Sequence, residues 1–215
     1  MTTLRYVPTS AIQARWQLRA LAQRVGLCRH RGPVVDFPSA EMFVETGHGH
    51  GDTFELAWRS QRFHMLTSIE VNADLAQRGR ETFRGVPRVD IMHASSPHGL
   101  LRVCDPEKTT VFWLDAHFSG HVYAAIEHDP AEGQCPLLAE LEVIRNVPWR
   151  VPPAIYIDDV LMFESQRYEG TYAAGIDRAQ FPTRAQIAAA LPAGYTLTSH
   201  HDRYYSALDI KNRLV

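Results

Sequence analysis

Residues 44–53 read Val-Glu-Thr-Gly-His-Gly-His-Gly-Asp-Thr, and this stretch is the strongest indication of the fold in the sequence. Glycines alternate at Gly47, Gly49 and Gly51, and Glu45 stands two residues before the first of them. Because glycine has no Cβ, it reaches positive φ angles easily and lets the backbone pass close to other groups. Apolar residues precede this stretch and helix-like spacing follows it, so we expect a sharp turn between a strand and a helix.

The chain after this turn alternates apolar, β-rich runs with stretches of helical periodicity. Strands that are buried on both faces and separated by helices are typical of a mostly parallel, doubly wound sheet. The sequence therefore predicts an α/β fold of the Rossmann-like type, with helices on both faces and an antiparallel pair at its end. The predicted strands cover residues 42–45, 64–70, 88–93, 110–115 and 154–158, the helices 53–60, 72–83, 136–146 and 183–191, and the closing pair 195–200 and 204–210.

The N-terminal arm has a different pattern. Residues 9–25 space apolar side chains among arginines and glutamines as an amphipathic helix does. Residues 26–40 contain glycine, prolines and mixed charge, which is typical of a connecting loop. We therefore divide the chain into a helix-and-loop arm over 1–40 and a single domain over 41–215. The helix of the arm is a candidate contact for a homodimer.

The bulk composition argues against several classes of protein. The formal net charge is -2, which gives no electrostatic reason to expect a nucleic-acid partner. The longest apolar runs, such as 111–114, are far too short to cross a bilayer, and the N-terminus lacks the apolar core of a secretion signal. Cys28, Cys104 and Cys135 are odd in number and widely spaced, which favours reduced thiols. We expect a cytoplasmic protein that acts on small molecules.

The spacing of the glycines separates two classes of cofactor. A dinucleotide-binding fingerprint reads G-x-G-x-x-G, whereas this chain reads E-x-G-x-G-x-G from Glu45 to Gly51. That pattern resembles motif I of the class I S-adenosylmethionine-dependent methyltransferases. Glu70 ends the second predicted strand, where a carboxylate can accept hydrogen bonds from both ribose hydroxyls of either cofactor.

The resemblance implies a set of contacts to S-adenosylmethionine. Glu45 would hold the ammonium of the methionine part, directly or through water, and Glu70 would hold the ribose. Ser95 stands where related enzymes often carry an aspartate that accepts from the adenine amino group; serine can accept the same bond as a neutral, shorter group. The implied cofactor residues are Glu45, Gly47, Gly49, Gly51, Thr53, Glu70, Ser95 and Asp115.

Two acidic segments follow neighbouring strands of the predicted sheet. Asp115 and His117 come after the fourth strand, and Asp158 and Asp159 end the fifth. In a doubly wound sheet the fourth strand lies between the first and the fifth, so these carboxylates should converge. Buried carboxylates repel one another unless they are neutralised, and a hard divalent cation such as Mg²⁺ or Mn²⁺ would neutralise them.

A narrower resemblance rests on these residues. Asp-x-His after the fourth strand and Ile-Asp-Asp after the fifth, with FWLDAHFSG and PLLAELEVI around them, resemble the metal-dependent O-methyltransferases of the macrocin type and related bacterial methyltransferases. The resemblance implies that Asp115, Asp158 and Asp159 hold the metal and that His117, beside Asp115, acts as the general base. The implied reaction is O-methylation of a hydroxyl on a sugar or natural product.

Other interpretations stay open at this point. Asp115 could cap a turn, and Asp158-Asp159 could form an Asx-turn without metal. An NAD-dependent oxidoreductase and a non-catalytic cofactor-binding module remain alternatives to the methyltransferase. His48 and His50 could contact the ligands, but we expect them to point outward. The segments predicted to border the acceptor are the polar loop 119–135, which holds His121 and His128, and the aromatic loop 164–178, which could instead be a packed surface loop.

Overall fold

A computed structural model describes residues 37–118, 133–159, 176–201 and 206–212 of the 215-residue chain. Five α-helices, one short 3-10 helix (Arg178–Gln180) and seven strands lie within these ranges. The predicted helix at 9–25, Cys28, most of loop 119–135 and most of loop 164–178 lie outside them. The strands are β1 (Ala40–Thr46), β2 (Phe63–Glu70), β3 (Val89–His93), β4 (Thr110–Leu114), β5 (Ala154–Asp158), β6 (Tyr195–His201) and β7 (Ser206–Asn212), and the helices are α1 (Asp52–Ser60), α2 (Ala73–Thr82), α3 (Ser96–Val103), α4 (Leu137–Asn146) and α5 (Arg184–Ala190).

The strands form one sheet in the order β3-β2-β1-β4-β5-β7-β6. The pairings among β3, β2, β1, β4 and β5 are parallel, while β7 pairs antiparallel with both β5 and β6. The predicted parallel sheet with an antiparallel end is therefore confirmed. A dinucleotide-binding Rossmann sheet runs 3-2-1-4-5-6, so the strand inserted between β5 and β6 marks a different branch of this architecture.

The core lies on both faces of the sheet, as the apolar strands predict. One cluster packs Phe43, Trp113 and Tyr156 of the strands against Phe54 and Trp58 of α1. The backbone polar groups of strands that are buried on both faces cannot reach water. They are therefore satisfied by hydrogen bonds to neighbouring strands. The second cluster packs the other face against α4 and α5 through Val44, Phe112, Ile155, Leu141, Ile144 and Ile187.

Helix α3 was not among the predicted elements. Its sequence contains Pro97 and Gly99, two residues that usually interrupt a helix. Pro97 lies in the first turn, where its missing N–H costs nothing, and Gly99 packs so close to Ile69 that a Cβ would approach the Ile69 side chain to 2.6 Å. Both residues therefore have local reasons to occur in a helix.

Helices α2 and α5 begin with side-chain caps of the usual kind. Asn72 caps α2 by accepting a hydrogen bond from the Leu75 amide, and Thr183 and Gln186 form a capping box at the start of α5. Within the described ranges, the helices are all too short or too polar to cross a membrane.

Candidate cofactor and metal site

The candidate site lies at the carboxyl ends of β1, β4 and β5. The strand order reverses between β1 and β4, and ligands of open α/β sheets bind at such a switch point. The Asp115 amide donates to the carbonyl oxygen of Thr46 at 3.1 Å and lies 3.2 Å from its hydroxyl, so the segments after β1 and β4 are tied together.

Residues 47–51, here called the glycine loop, turn sharply after β1. Gly47, Gly49 and Gly51 have φ angles of 77°, 49° and 74°. Positive φ angles are costly for residues with a Cβ, so the loop requires its glycines. Gly51 ends the loop as the N-cap of α1, and Thr53 is buried in the first turn of that helix.

Gly47 also allows a close approach between two segments. A Cβ at this position would lie 2.5 Å from the carbonyl oxygen of Asp115 and 2.9 Å from the Cα of Ala116. Both neighbours are backbone atoms, which cannot rotate away as a side chain can. The glycine predicted as a cofactor contact thus also brings the loop against Asp115.

We expect Gly47→Ala to destabilise the protein more than Gly85→Ala does. Gly85 has a similar φ of 80°, but among the described residues nothing lies within 4 Å of a Cβ there. The left-handed conformation costs about 1–2 kcal/mol in both variants, and the clash at Gly47 should add about 1–3 kcal/mol. Urea unfolding measures the difference; equal losses would show that the close approach at Gly47 does not matter.

Glu70 is hydrogen-bonded to the glycine loop. Its Oε2 accepts from the Gly49 amide at 2.8 Å, and its Oε1 accepts from the Asn72 amide at 2.8 Å. The side chain is 4% exposed, and these bonds fix the plane of the carboxylate. Each carboxylate oxygen can accept a second hydrogen bond, so the geometry suits the predicted ribose contact.

Glu45 is buried under the loop in a network that the sequence did not predict. Its Oε2 accepts from the Ser68 hydroxyl at 2.5 Å and lies 3.3 Å from His48 Nδ1, which is 3.0 Å from the same hydroxyl. Burial raises the pKa of Glu45, and the hydrogen bonds of His48 and Ser68 oppose that rise. The expectation that His48 points outward is wrong, because its side chain is buried; His50 is exposed as expected.

Ser95 lies at the end of the β3 segment, next to α3. Its hydroxyl is 2.8 Å from His98 Nδ1, and it is half-buried. If the hydroxyl donates to this nitrogen, its lone pairs are left to accept from a ligand. The nearby His93 is exposed and donates from Nε2 to the Val71 carbonyl at 3.0 Å.

A compact group of metal-binding side chains stands beside the glycine loop. One ligand atom each from Asp115, His117 and Asp159 lies within 4.8 Å of the other two, and we call these residues the acid–histidine cluster. His117 Nδ1 is 3.4 Å from Asp115 Oδ1, and its Nε2 is 3.0 Å from Asp159 Oδ2. The imidazole thus stands between two carboxylates from different strand ends.

The Nε2 atom of His117 is buried without a hydrogen-bond partner among the described residues. The side chain is 4% exposed, yet within the described part of the chain Nε2 makes no aligned hydrogen bond. The distance to Asp159 Oδ2 is short enough for a hydrogen bond, but the direction is not. His117 Nε2 and Asp159 Oδ2 lie close together with no hydrogen bond between them. Both atoms could therefore bind the same cation.

Asp158, predicted as a metal ligand, lies near Asp115 but outside the acid–histidine cluster. Its carboxylate is buried, and Oδ1 accepts from the Asp159 amide at 2.8 Å. Asp159 has a φ of 54°, an unusual conformation for a residue with a Cβ. Asp158 therefore supports the strained turn that presents Asp159, and it is not a member of the acid–histidine cluster. The structure brings the predicted Asp115 and Asp159 together but adds His117 in place of Asp158.

The carboxylates repel one another strongly. Burial raises the pKa of Asp115 well above its ordinary value, and the charges of Asp158 and then Asp159 raise it further. Glu45 and Glu140 add to the same effect. Glu140 is buried in the first turn of α4 and was not predicted as part of the site. Such a concentration of acids in one place is typical of cation binding.

The wall next to His117 is built from aromatic and amide groups. The ring of Phe181 meets the His117 ring edge-on at a centroid distance of 6.1 Å. The Phe118 amide donates to the Gln134 carbonyl oxygen, and the Gln134 amide donates to Gln180 Oε1 at 2.9 Å. These bonds connect the ends of the two segments that the sequence predicts to border the acceptor.

Comparison with known proteins assigns the fold. No protein-family model and no curated protein matches the chain. Solved structures of S-adenosylmethionine-dependent methyltransferases do match it. Mitomycin 7-O-methyltransferase aligns with a TM-score of 0.54 at 15% identity over 83% of this chain and 50% of its own. Human N-acetylserotonin methyltransferase, solved with S-adenosylmethionine, aligns with a TM-score of 0.53 at 13% identity over 94% of this chain and 54% of its own.

The chain therefore has the class I methyltransferase fold, and it spans about half the length of these two enzymes. Spermidine synthase from Thermotoga maritima shares the fold at a TM-score of 0.52 and 13% identity, over 82% of this chain and 55% of its own. One fold can host several reactions, so the reaction has to be argued from the residues of the site.

Proposed function

We propose that the chain is an S-adenosylmethionine-dependent O-methyltransferase, assisted by a divalent cation, that acts on a hydroxyl of a sugar or natural product. The observation that carries the proposal is the acid–histidine cluster packed against the glycine loop. In the class I fold, a cluster there is well placed to bring an acceptor oxygen next to a methyl donor. Positioning of two reactants is worth about 7–11 kcal/mol, which exceeds what a general base contributes.

The methyl donor would be held by the glycine loop and the two glutamates. Glu70 presents a fixed carboxylate to the ribose hydroxyls, and Glu45 presents a negative charge to the ammonium. Ser95 would accept from the adenine amino group. This assignment is supported by the hydrogen bonds that hold both carboxylates in place.

The cation would be held by Asp115, His117 and Asp159. Two carboxylates and one imidazole neutralise a divalent ion, and an imidazole ligand favours Mn²⁺ over Mg²⁺ because Mg²⁺ prefers oxygen ligands. A bound cation would lower the pKa of the acceptor hydroxyl. Asp158 would act indirectly by holding the turn of Asp159.

The role of His117 changes with this assignment. A nitrogen that ligates a metal has no lone pair left to accept a proton, so the ligand role and the predicted base role exclude each other at Nε2. Loss of metal binding in His117→Ala would support the ligand role. Retained metal binding with a slow rate would support the base role.

The direct test of the proposal is methyl transfer from S-adenosylmethionine to a panel of sugars and catechols, with Mg²⁺, Mn²⁺ or EDTA. We expect turnover that needs a divalent cation and is higher with Mn²⁺. Full activity in EDTA would remove the cation from the proposal. Absence of transfer to every acceptor, together with tight cofactor binding, would favour a non-catalytic module.

A matched pair of variants tests which aspartates hold the cation. We expect Asp159→Asn to weaken Mn²⁺ binding by more than the loss of about 10–100-fold that is typical of an outer-shell partner, since it removes a charged ligand itself. Asp158→Asn keeps an oxygen that accepts from the Asp159 amide, so it should retain most of the affinity. Calorimetric titration with Mn²⁺ measures both, and a larger loss in Asp158→Asn would restore the set predicted from the sequence.

A further inference from the structure

The glycine loop contains a buried histidine that the proposed reaction does not use. The His48 side chain is 4% exposed, although the loop around it lies at the edge of the sheet. Its ring fits between two glycines of different elements. A Cβ on Gly51 would come within 2.8 Å of the ring, and a Cβ on Gly79 of α2 would lie 2.7 Å from Nε2. The absence of a Cβ at Gly51 and Gly79 thus leaves room for the His48 imidazole.

The hydrogen bonds of His48 have a definite direction. Glu45 must be ionised to receive an ammonium, and in that state its Oε2 can only accept, so the Ser68 hydroxyl donates its one proton to Oε2 at 2.5 Å. The Ser68 oxygen must then accept from His48 Nδ1 at 3.0 Å, so the ring proton lies on Nδ1. His48 donates through Ser68 to Glu45, and its Nδ1 also lies 3.3 Å from the carboxylate itself.

The network leaves one oxygen of Glu45 for a ligand. Both contacts use Oε2, and Oε1 accepts no hydrogen bond within the described part of the chain. Because both contacts hold Oε2, Oε1 is the oxygen of Glu45 that is left to accept from a cationic group. The edge of Phe54 packs against the His48 ring at a centroid distance of 5.5 Å and limits its rotation.

We infer that His48 is a positioning residue that, with Ser68, orients Glu45 so that Oε1 receives the ammonium of the methyl donor. The inference rests on the proposed function, because it assumes that S-adenosylmethionine is the ligand. It assigns His48 no contact with the ligand and no proton transfer. Its effect should therefore be confined to ligands that carry the ammonium.

Two ligands separate this role from a general role in folding. S-adenosylhomocysteine carries the ammonium, whereas 5′-methylthioadenosine has the same nucleoside and sulfur without it. We expect His48→Leu to weaken binding of S-adenosylhomocysteine by about 10–100-fold, the range for a hydrogen bond to a charged group. The affinity for 5′-methylthioadenosine should change by less than about 2-fold. His48→Asn places an amide donor near Nδ1 and should recover part of the loss. His64→Leu, at an exposed histidine of β2, is the control.

Ser68→Ala breaks the same link without altering the ring, so it decides the question if His48→Leu does not fold. Equal weakening of both ligands, or no weakening of either, in the folded variants would overturn the inference. Failure of the proposed methyl donor has a separate signature, because in that case the unmodified protein would bind neither ligand, whereas failure of methyl transfer alone would leave both affinities measurable. Isothermal titration calorimetry on the full chain measures every affinity needed.

Discussion

Asp115→Asn should reduce methyl transfer by about 10³-fold and at the same time stabilise the fold. The rate should fall because the variant removes one of two charged ligands from the proposed cation site, and a bound metal contributes several kcal/mol of charge stabilisation. Stability should rise because Asp115 lies among carboxylates that raise its pKa well above the ordinary value. An amide keeps the shape of the side chain without that repulsion.

The stability gained in Asp115→Asn should depend on pH in a definite direction. A carboxyl group whose pKa is raised in the folded state contributes stability at low pH, below its unfolded pKa, and that contribution is lost as pH rises through the folded pKa. The metal-free protein should therefore become less stable between acidic and neutral pH, and Asp115→Asn should flatten this loss. Each 1 kcal/mol gained at neutral pH raises Tm by roughly 2–4 °C in a protein of this size.

Thermal unfolding in EDTA at several pH values, together with transfer assays in Mn²⁺, measures both effects. Asp90→Asn, at an exposed aspartate of β3, is the matched control and should change neither. A variant that loses activity and stability together would show that Asp115 is needed for the fold. A variant that keeps full activity would remove Asp115 from the cation site.

Glu70→Gln should lower the affinity for S-adenosylmethionine by about 10²-fold or more. The ribose would lose hydrogen bonds to a charged acceptor, each worth about 1.5–3 kcal/mol. The amide oxygen can still accept from one backbone amide, but the amide nitrogen cannot accept from the other. The two amides, of Gly49 and Asn72, would no longer both be satisfied, and the glycine loop would lose part of its support.

Calorimetric titration of Glu70→Gln and of Glu81→Gln measures this effect. Glu81 is an exposed carboxylate in the last turn of α2, so its variant controls for the change in net charge. Circular dichroism establishes that both variants are folded. Unchanged affinity in Glu70→Gln would mean that the carboxylate serves only to hold the loop.

Much of the fold could be predicted because strong local signals agreed with one another. The run at 110–114 is fully buried, and the predicted strands match the observed ones to within a few residues. Helix α3 could not be predicted in this way, because Pro97 and Gly99 carry signals for a turn. Pro97 fits because it lies in the first turn of the helix, and the role of Gly99 depends on the packing of Ile69, which is far away in sequence.

The candidate site was predicted in its location but not in its details. The parallel order of β1, β4 and β5 was enough to bring Asp115 and Asp159 together. The direction of a side chain in a turn depends on φ angles that no periodicity reports. For this reason the sequence could not show that His117 lies between the two carboxylates, or that His48 turns inward to Glu45.

Every step proposed for this chain depends on binding of S-adenosylmethionine by the glycine loop and Glu70. The most direct test is a calorimetric titration of the full chain with S-adenosylmethionine, alongside the same titration with NADH. We predict saturable binding of S-adenosylmethionine at a single site, with a dissociation constant in the range of about 1 μM to 1 mM that is typical of enzyme ligands, and no binding of NADH. Tight binding of NADH without binding of S-adenosylmethionine would show that the glycine loop does not hold this methyl donor.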